Sequence, residues 1–328
     1  RRGHEFYANY ERALAPARQG KVDLVVHPGD LFFRSKVPPS LVEAAFGPLV
    51  NVAQRGVPVF VVPGNHERSR IPLHLWAAHP NIHIFDRPRT FQQQVGTAAI
   101  ALSGFPFSRR VRETFGGLVR ETRYHETAAD VRLLCLHQTV EGATVGPSDY
   151  VFRRGPDVIP GQALPGGFGA VLAGHIHRAQ VLTHDLAVRS LPAPVIYPGS
   201  VERTSFAERH EEKGYALVSL CLSGRDKGQL AESSFVPLPA RPMVDLTLEP
   251  GVLHGRALQE HVRERLWALD REAIVRVRFD GAPSPKTLQQ LSAAHLREMA
   301  PPGMNVSLAL RPRKSPQSHQ GTKTRRFS

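Results

Sequence analysis

The chain has 328 residues, 41% hydrophobic and 22% charged, which suits one large α/β domain plus a smaller one and excludes a mainly disordered protein. Its 42 lysines and arginines against 29 acidic residues give a formal charge of +13, which favours a polyanionic partner, although a general preference for arginine explains the same excess. No apolar run reaches the roughly 18 residues of a membrane span, no signal peptide is visible, and Cys135 and Cys221 look like reduced thiols, so we expect a cytoplasmic protein without membrane contact.

The first part of the chain alternates helix and strand patterns. Helical spacing over 4–18 precedes a buried strand at 22–26, and the unit repeats with a helix at 39–54 and a strand at 57–62. Further strands are predicted at 81–85, 98–103, 131–136, 171–173, 180–184, 187–191, 195–197, 215–222 and 234–238, with a helix around 110–127 and an irregular loop at 137–171. This order predicts two sheets packed face to face with helices outside.

A proline-rich stretch divides the chain near residue 240. Residues 1–238 form the larger predicted domain, 239–242 a linker, and 243–310 a compact α+β module. The module reads strand 243–248, helix 257–269, strand 274–279, helix 285–299 and strand 306–310. Residues 311–328 are rich in Arg, Lys, Ser and Gln and predict a disordered basic tail.

Four loops that follow predicted strands carry residues able to bind metal. They are Gly29-Asp30, Gly64-Asn65-His66-Glu67, His137, and Gly174-His175-Ile176-His177. In α/β proteins ligands bind at the carboxyl ends of strands. A carboxylate can bridge two cations, histidines supply neutral nitrogen to manganese, iron or zinc, and an amide oxygen adds a ligand without charge. Each motif is common singly, but the combination predicts a metal site.

The series G-D, G-N-H-E, H and G-H-I-H resembles the calcineurin-like metallophosphoesterases. The segment Y-P-G-S-V-E-R-T-S-F at 197–206, followed by E-K-G-Y at 212–215, resembles the nuclease branch, the bacterial SbcD proteins and their double-strand-break repair counterparts. The resemblance covers about 6–238. It implies an α/β fold, a four-layer αββα metallophosphoesterase sandwich, followed by a small C-terminal α+β capping domain that guides DNA.

The resemblance also implies an activity and partners. The expected enzyme is a metal-dependent DNA phosphodiesterase, an exonuclease or endonuclease, with two divalent metal ions for which manganese is expected and iron or zinc would serve. Its expected partners are DNA and an SbcC-like coiled-coil ATPase, and a homodimer is an open possibility. Carried over by position, Asp30 would bridge the two metals, Asn65, His137 and His175 would hold one, and His177 would hold the other.

The same resemblance assigns His66 a catalytic role without metal binding. At this position the family has a histidine that stabilises the transition state or protonates the leaving oxygen, which suits an imidazole because the step needs a proton donor near neutral pH. Arg109 and Arg110 follow a predicted strand and are candidates for phosphate contacts, with a solvated basic face as the equal alternative.

Two departures from the family pattern bear on activity. The Asp-x-His motif expected on a strand before residue 1 has no counterpart in this chain, so we expect poor binding of the ion that His177 serves. Phe33 stands where this branch usually has a polar residue, which leaves exonuclease or endonuclease preference open. Two other functions remain open: a phosphoesterase for small molecules or nucleotides, and a DNA-binding or ATPase-recruiting scaffold with a degenerate site.

Overall fold

A computed structural model describes residues 2–33, 36–67, 75 and 79–309. The chain divides into two compact units, Arg1–Ala240 and Arg241–Ser328. The basic segment 311–328, predicted to be disordered, lies outside the described residues. No helix in the described part is long and apolar enough to cross a membrane.

The α-helices are α1 (Arg2–Ala13), α2 (Ala15–Arg18), α3 (Pro39–Gln54), α4 (Val111–Glu121), α5 (Gly255–Trp267), α6 (Pro285–Gln290) and α7 (Ala293–Met299). The strands of the first half are β1 (Val25–His27), β2 (Val59–Val61), β3 (Ile82–Ile84), β4 (Arg89–Val95), β5 (Ala98–Gly104), β6 (Val131–Leu136), β7 (Thr139–Val140), β8 (Thr144–Val145) and β9 (Tyr150–Val151). The remaining strands are β10 (Val158–Ile159), β11 (Ala170–Ala173), β12 (Gln180–His184), β13 (Ser190–Tyr197), β14 (Gly214–Leu220), β15 (Leu230–Pro237), β16 (Met243–Leu248), β17 (Ile274–Phe279) and β18 (Asn305–Ala309).

The first unit contains two main sheets. Strands β1, β2 and β3 form a parallel sheet in that order. The second sheet has the order β12-β13-β11-β6-β5-β4, with four parallel central strands and an antiparallel strand at each edge. Parallel central strands are buried on both faces, which explains their continuous apolar runs in the sequence.

Three apolar clusters order these elements into layers. Phe46 and Leu49 of α3 pack with Val59 on one face of the three-stranded sheet. The other face of that sheet, through Phe60, packs on the six-stranded sheet, whose far face lies against Phe115 of α4. The order helix, sheet, sheet, helix confirms the predicted α/β sandwich.

The second unit has its own core. Strands β16, β17 and β18 form an all-parallel sheet, because helical segments provide each crossover. Its apolar cluster includes Leu246, Val262, Leu266 and Val277, all buried. The predicted helix 285–299 is two helices, since Ser292 caps the start of α7 by accepting a hydrogen bond from the His295 N–H at 3.3 Å.

Other differences from the predicted elements have simple causes. Strand β4 was not predicted because its sequence, R-T-F-Q-Q-Q-V, is polar, as suits an edge strand. Residues 187–189 of the predicted strand 187–191 lie in a turn; Ser190 and Leu191 begin β13, which continues through Pro192 and Pro194 into the predicted strand 195–197. The predicted irregular loop 137–171 contains the short strands β7 to β10.

Candidate metal centre

Strands of both sheets deliver the four predicted loops. Strands β1 and β2, neighbours in the first sheet, are followed by the loops of Asp30 and Asn65. Strands β6 and β11, neighbours in the second sheet, are followed by His137 and His175. The site therefore forms where the carboxyl ends of two stacked sheets meet.

Four of the predicted ligands converge. The Oδ1 atom of Asn65 lies 3.0 Å from Nε2 of His137 and 2.9 Å from Nδ1 of His175. Oδ2 of Asp30 lies 3.3 Å from Nε2 of His137. Ligand atoms of Asp30, His137 and His175 all lie within 4.8 Å of one another. One carboxylate, two imidazoles and an amide oxygen form a donor set that fits a divalent cation.

The orientation of His137 suits metal binding. Its side chain is 1% exposed, and Nδ1 donates a hydrogen bond to the carbonyl of Pro28 at 2.7 Å. That bond leaves Nε2 facing two acceptors, the oxygens of Asp30 and Asn65. A nitrogen acceptor that faces two oxygen acceptors needs either a proton or a cation between them. In metal-binding histidines, a hydrogen bond from the other ring nitrogen usually fixes the tautomer.

The local electrostatics favour the metal-binding forms of Asp30 and His175 at neutral pH. Burial opposes ionisation of Asp30, but hydrogen bonding and charge from His137, with the His66 N–H at 3.1 Å, lower its pKa. Burial, followed by the charge of His137, lowers the pKa of His175 to about 4. An ionised carboxylate and a neutral imidazole are the forms that bind metal.

Two positions of the motifs require glycine because the loops approach each other closely. A Cβ atom on Gly64 would overlap the carboxylate and backbone nitrogen of Asp30, and one on Gly174 would overlap the Pro28 carbonyl. Two ligands also occupy the left-handed backbone region, Asp30 with φ 55° and His175 with φ 81°. Such conformations are costly away from glycine and cluster at functional sites.

His66 lies beside the donor set with its ring half-exposed. Its Nδ1 donates to the Phe33 carbonyl at 3.0 Å, and its Nε2 lies 3.7 Å from Oδ2 of Asp30, with 48% of the side chain exposed. The ring is therefore held at one nitrogen while the other faces both the centre and solvent. This position does not by itself give His66 a role in metal binding.

Glu67 has a role that the sequence did not reveal. Its side chain is 2% exposed, and its two carboxylate oxygens accept hydrogen bonds from the backbone N–H groups of Phe32 at 2.6 Å and Gly64 at 2.8 Å. It thus ties the Asp30 loop to the Asn65 loop. Burial raises the pKa of Glu67 in spite of these bonds. The only sequence signal was an acidic residue inside the G-N-H-E motif.

His177 does not belong to the converging group. Its Nδ1 donates to Oε1 of Glu208 at 3.1 Å, and the side chain is 39% exposed. Hydrogen bonds from His177 and Thr204 lower the pKa of Glu208 to about 2, against the effect of burial. The structure therefore places the two histidines of the G-H-I-H motif in different surroundings.

A buried lysine supports this second histidine. Lys213 is fully buried; its Nζ lies 3.0 Å from Oε2 of Glu208 and 2.9 Å from Oε2 of Glu211, and it donates to the His177 carbonyl at 2.8 Å. A buried cation needs such partners. Neither Glu208 nor Lys213 was predicted as a site residue, because the contact joins distant positions without a characteristic spacing.

The two predicted phosphate contacts lie at the start of α4. Both residues are exposed, and the guanidinium of Arg110 pairs with Glu113 at 2.9 Å. The ring of Phe107, in the preceding loop, lies 5.8 Å from the His175 ring and 6.1 Å from the His137 ring, so it packs against two of the candidate ligands.

Sequence comparisons find relatives that match most of this chain. The chain is similar to the DNA double-strand break repair protein Mre11 of Methanopyrus kandleri, with 25% identity over 312 residues, covering 86% of this chain and 61% of that protein. It is also similar to the SbcD component of the SbcCD nuclease of Staphylococcus epidermidis, with 23% identity over 248 residues, covering 70% of this chain and 62% of that protein. The chain therefore spans about six tenths of the length of these relatives.

A solved structure of Haemophilus influenzae NAD nucleotidase matches with a TM-score of 0.35 and 13% identity, covering 90% of this chain and 60% of that chain. The family model for calcineurin-like phosphoesterase matches residues 4–179, which contain the four converging ligands and the G-H-I-H motif. This match covers more than half of the chain, and the chain belongs to the calcineurin-like phosphoesterase family.

Proposed function

We propose that the protein is a metal-dependent DNA phosphodiesterase of the Mre11 and SbcD type. The observation that carries the proposal is the convergence of Asp30, Asn65, His137 and His175 on one point at the ends of two sheets. Nuclease relatives at about 25% identity and a formal charge of +13 support DNA as the substrate.

Two divalent cations, of which manganese is the expected metal, complete the proposed site. Asn65, His137 and His175 would hold one, Asp30 would bridge, and His177 would serve the other. Glu208 supports this last assignment, since a carboxylate on Nδ1 leaves Nε2 of His177 available. When bound, divalent cations of this kind polarise phosphoryl oxygens and lower the pKa of water.

His66 acts on the phosphodiester in this proposal. The Phe33 carbonyl holds its Nδ1, so that Nε2 can carry a proton toward a phosphate oxygen or the leaving oxygen. The Asp30 carboxylate accepts from the His66 backbone N–H at 3.1 Å and therefore fixes this loop relative to the metal ligands. Two hydrogen bonds thus position His66: one from its ring to the Phe33 carbonyl and one from its backbone N–H to Asp30.

The remaining assignments are parts of the same proposal. We propose that an SbcC-like coiled-coil ATPase is the partner, as the name of the staphylococcal relative suggests, with a homodimer as a further possibility. Arg109 and Arg110 would contact DNA phosphates, residues 243–310 would serve as the capping domain, and the location would be cytoplasmic, in keeping with two free cysteines.

The test is digestion of linear double-stranded DNA by the full-length gene product with manganese. We expect Asp30→Ala and His66→Ala to lower the rate by about 100-fold or more, because general acid catalysis alone contributes that much. Wild-type activity no higher than that of Asp30→Ala would contradict the proposal. A circular single-stranded substrate, compared between wild type and Phe33→His, separates endonuclease from exonuclease activity.

A chromogenic phosphodiester distinguishes the alternatives. Hydrolysis of that compound without DNA digestion would instead indicate a small-molecule phosphoesterase. Inactivity on both substrates, with DNA binding retained, would indicate a scaffold.

A further inference from the structure

An open cleft of about 810 Å³ lies on the first unit, outside the candidate metal centre. One wall is the β8–β9 hairpin with the residues just after it, and the other is the turn that joins β12 to β13. The lining residues that matter here are Glu141, Asp149, Tyr150, Arg153, Arg154 and Leu186.

The cleft carries charges of both signs, and its two arginines have no partner among the described residues. Asp149 is bonded to Arg178 at 2.5 Å, and the Glu141 carboxylate accepts from the Gly161 N–H at 3.4 Å. Arg153 and Arg154 are exposed and form no hydrogen bond or ion pair with any part of the chain that the structure describes. Two adjacent free guanidinium groups favour an anionic ligand with more than one charge.

The cleft also offers apolar contact surface. The side chain of Tyr150 is 58% exposed and that of Leu186 is 41% exposed. The Tyr150 ring lies perpendicular to that of Phe152, with 5.2 Å between centroids and an interplanar angle of 89°. An exposed aromatic side chain next to free arginines is the combination by which proteins bind single-stranded nucleic acid without sequence preference.

A direct contact connects this cleft to the metal-site loop. Arg178 follows His177 in the chain, bonds Asp149 on the cleft wall, and donates to the Gly146 carbonyl at 2.6 Å. It also lies 3.2 Å from Glu211, a partner of the buried Lys213. The hairpin that carries Tyr150 is therefore anchored at the residue next to a candidate ligand.

We propose that this cleft binds a single-stranded segment of the DNA substrate, with a base stacked on Tyr150 and phosphates contacted by Arg153 and Arg154. The inference rests on the proposed function for the identity of the substrate as DNA. A single strand suits the site better than a duplex, because an aromatic face can stack only on an unpaired base.

Fluorescence anisotropy of a labelled single-stranded oligothymidine tests the proposal, with EDTA present so that cleavage does not interfere. We expect Tyr150→Ala to weaken single-strand binding about 10-fold and to change blunt-duplex binding less than twofold, whereas Tyr150→Phe should bind as wild type. Arg153→Ala/Arg154→Ala should weaken single-strand binding and reduce the salt-dependence slope by about 1.4, or about 0.7 per lost phosphate contact.

The matched control is Arg120→Ala/Arg225→Ala, which removes the same charge from two exposed positions outside the cleft. This control should change single-strand affinity less than twofold. Three results would overturn the proposal: unchanged affinity in both cleft variants, equal weakening in the control, or equal weakening for duplex and single strand. Unchanged single-strand affinity in the cleft variants would indicate that the cleft binds a protein partner instead. Because no cleavage is measured, failure here is distinct from failure of the proposed nuclease activity.

Discussion

The orientation of His177 depends on a carboxylate 31 residues further along the chain. Glu208 accepts from its Nδ1 and is held in turn by Lys213, whose burial demands the pairing. Sequence patterns identified His177 itself from its position after a strand. They did not identify Glu208, because nothing in the spacing indicates which carboxylate will reach it.

Glu208→Gln should weaken manganese binding by about 10-fold or more, since a carboxylate behind a ligating histidine typically contributes that much to affinity. Titration calorimetry of the full-length gene product measures the effect. The matched control is Glu212→Gln, an exposed neighbour that loses the same charge. Equal manganese affinity in both variants would show that Glu208 does not position a ligand.

His27 gives a prediction about pH. Burial, followed by the charge of His137, lowers the pKa of His27 to about 4. The His27 side chain takes up a proton near pH 6.5 in the unfolded chain but only near pH 4 in the folded chain. The free energy of unfolding therefore does not change through His27 above pH 6.5, and it falls as the pH drops from 6.5 to 4, by no more than about 1.4 kcal/mol per pH unit. Urea unfolding in EDTA at pH 5 and 7 should show a smaller drop for His27→Gln than for wild type. Equal drops would rule out His27 as the cause.

The strand ends are the elements that build the centre, and much of their arrangement is predictable. Apolar runs ending in Asp30, Asn65, His137 and His175 indicate buried strands and candidate ligands together, because parallel strands direct their carboxyl ends to one edge. The edge strand β4 escaped prediction because its exposed glutamines lack an apolar pattern. The tie made by Glu67 also escaped, since a buried carboxylate bonded to main-chain N–H groups has no sequence signature.

Gly64→Ala should destabilise the fold by about 1–3 kcal/mol and weaken metal binding, because the added methyl group displaces the Asp30 loop. Gly47→Ala is the matched control: its Cβ meets no atom within 4 Å and it lies inside α3, where alanine should stabilise by about 0.5–1 kcal/mol. Urea unfolding and manganese titration measure both effects. A Gly64→Ala variant as stable as wild type would refute the close approach of the two loops.

At the scale of the whole molecule, two units each have a core of their own. The proline-rich stretch near residue 240 and the strand-helix alternation after it were visible in the sequence. The identity of the metal was not, because manganese, iron and zinc accept the same donors. The cleft beside Tyr150 was also not predicted, since it depends on the packing of two distant hairpins.

The fragment 241–309 should fold alone, because its apolar cluster takes residues from every strand and helix of the unit, those of α6 and β18 being partly buried. Thermal unfolding followed by circular dichroism should give one cooperative transition, and Leu266→Ala should lower stability by about 2–5 kcal/mol. Absence of a cooperative transition would mean that the core of this unit is insufficient to stabilise the isolated fragment.

The most direct measurement of the central claim is a crystal structure of the full-length gene product grown with manganese, with anomalous scattering recorded at the manganese edge. We predict a peak about 2.0–2.2 Å from ligand atoms of Asp30, Asn65, His137 and His175, and its loss in Asp30→Ala. Absence of the peak at this point, or a peak held by other residues, would contradict the account.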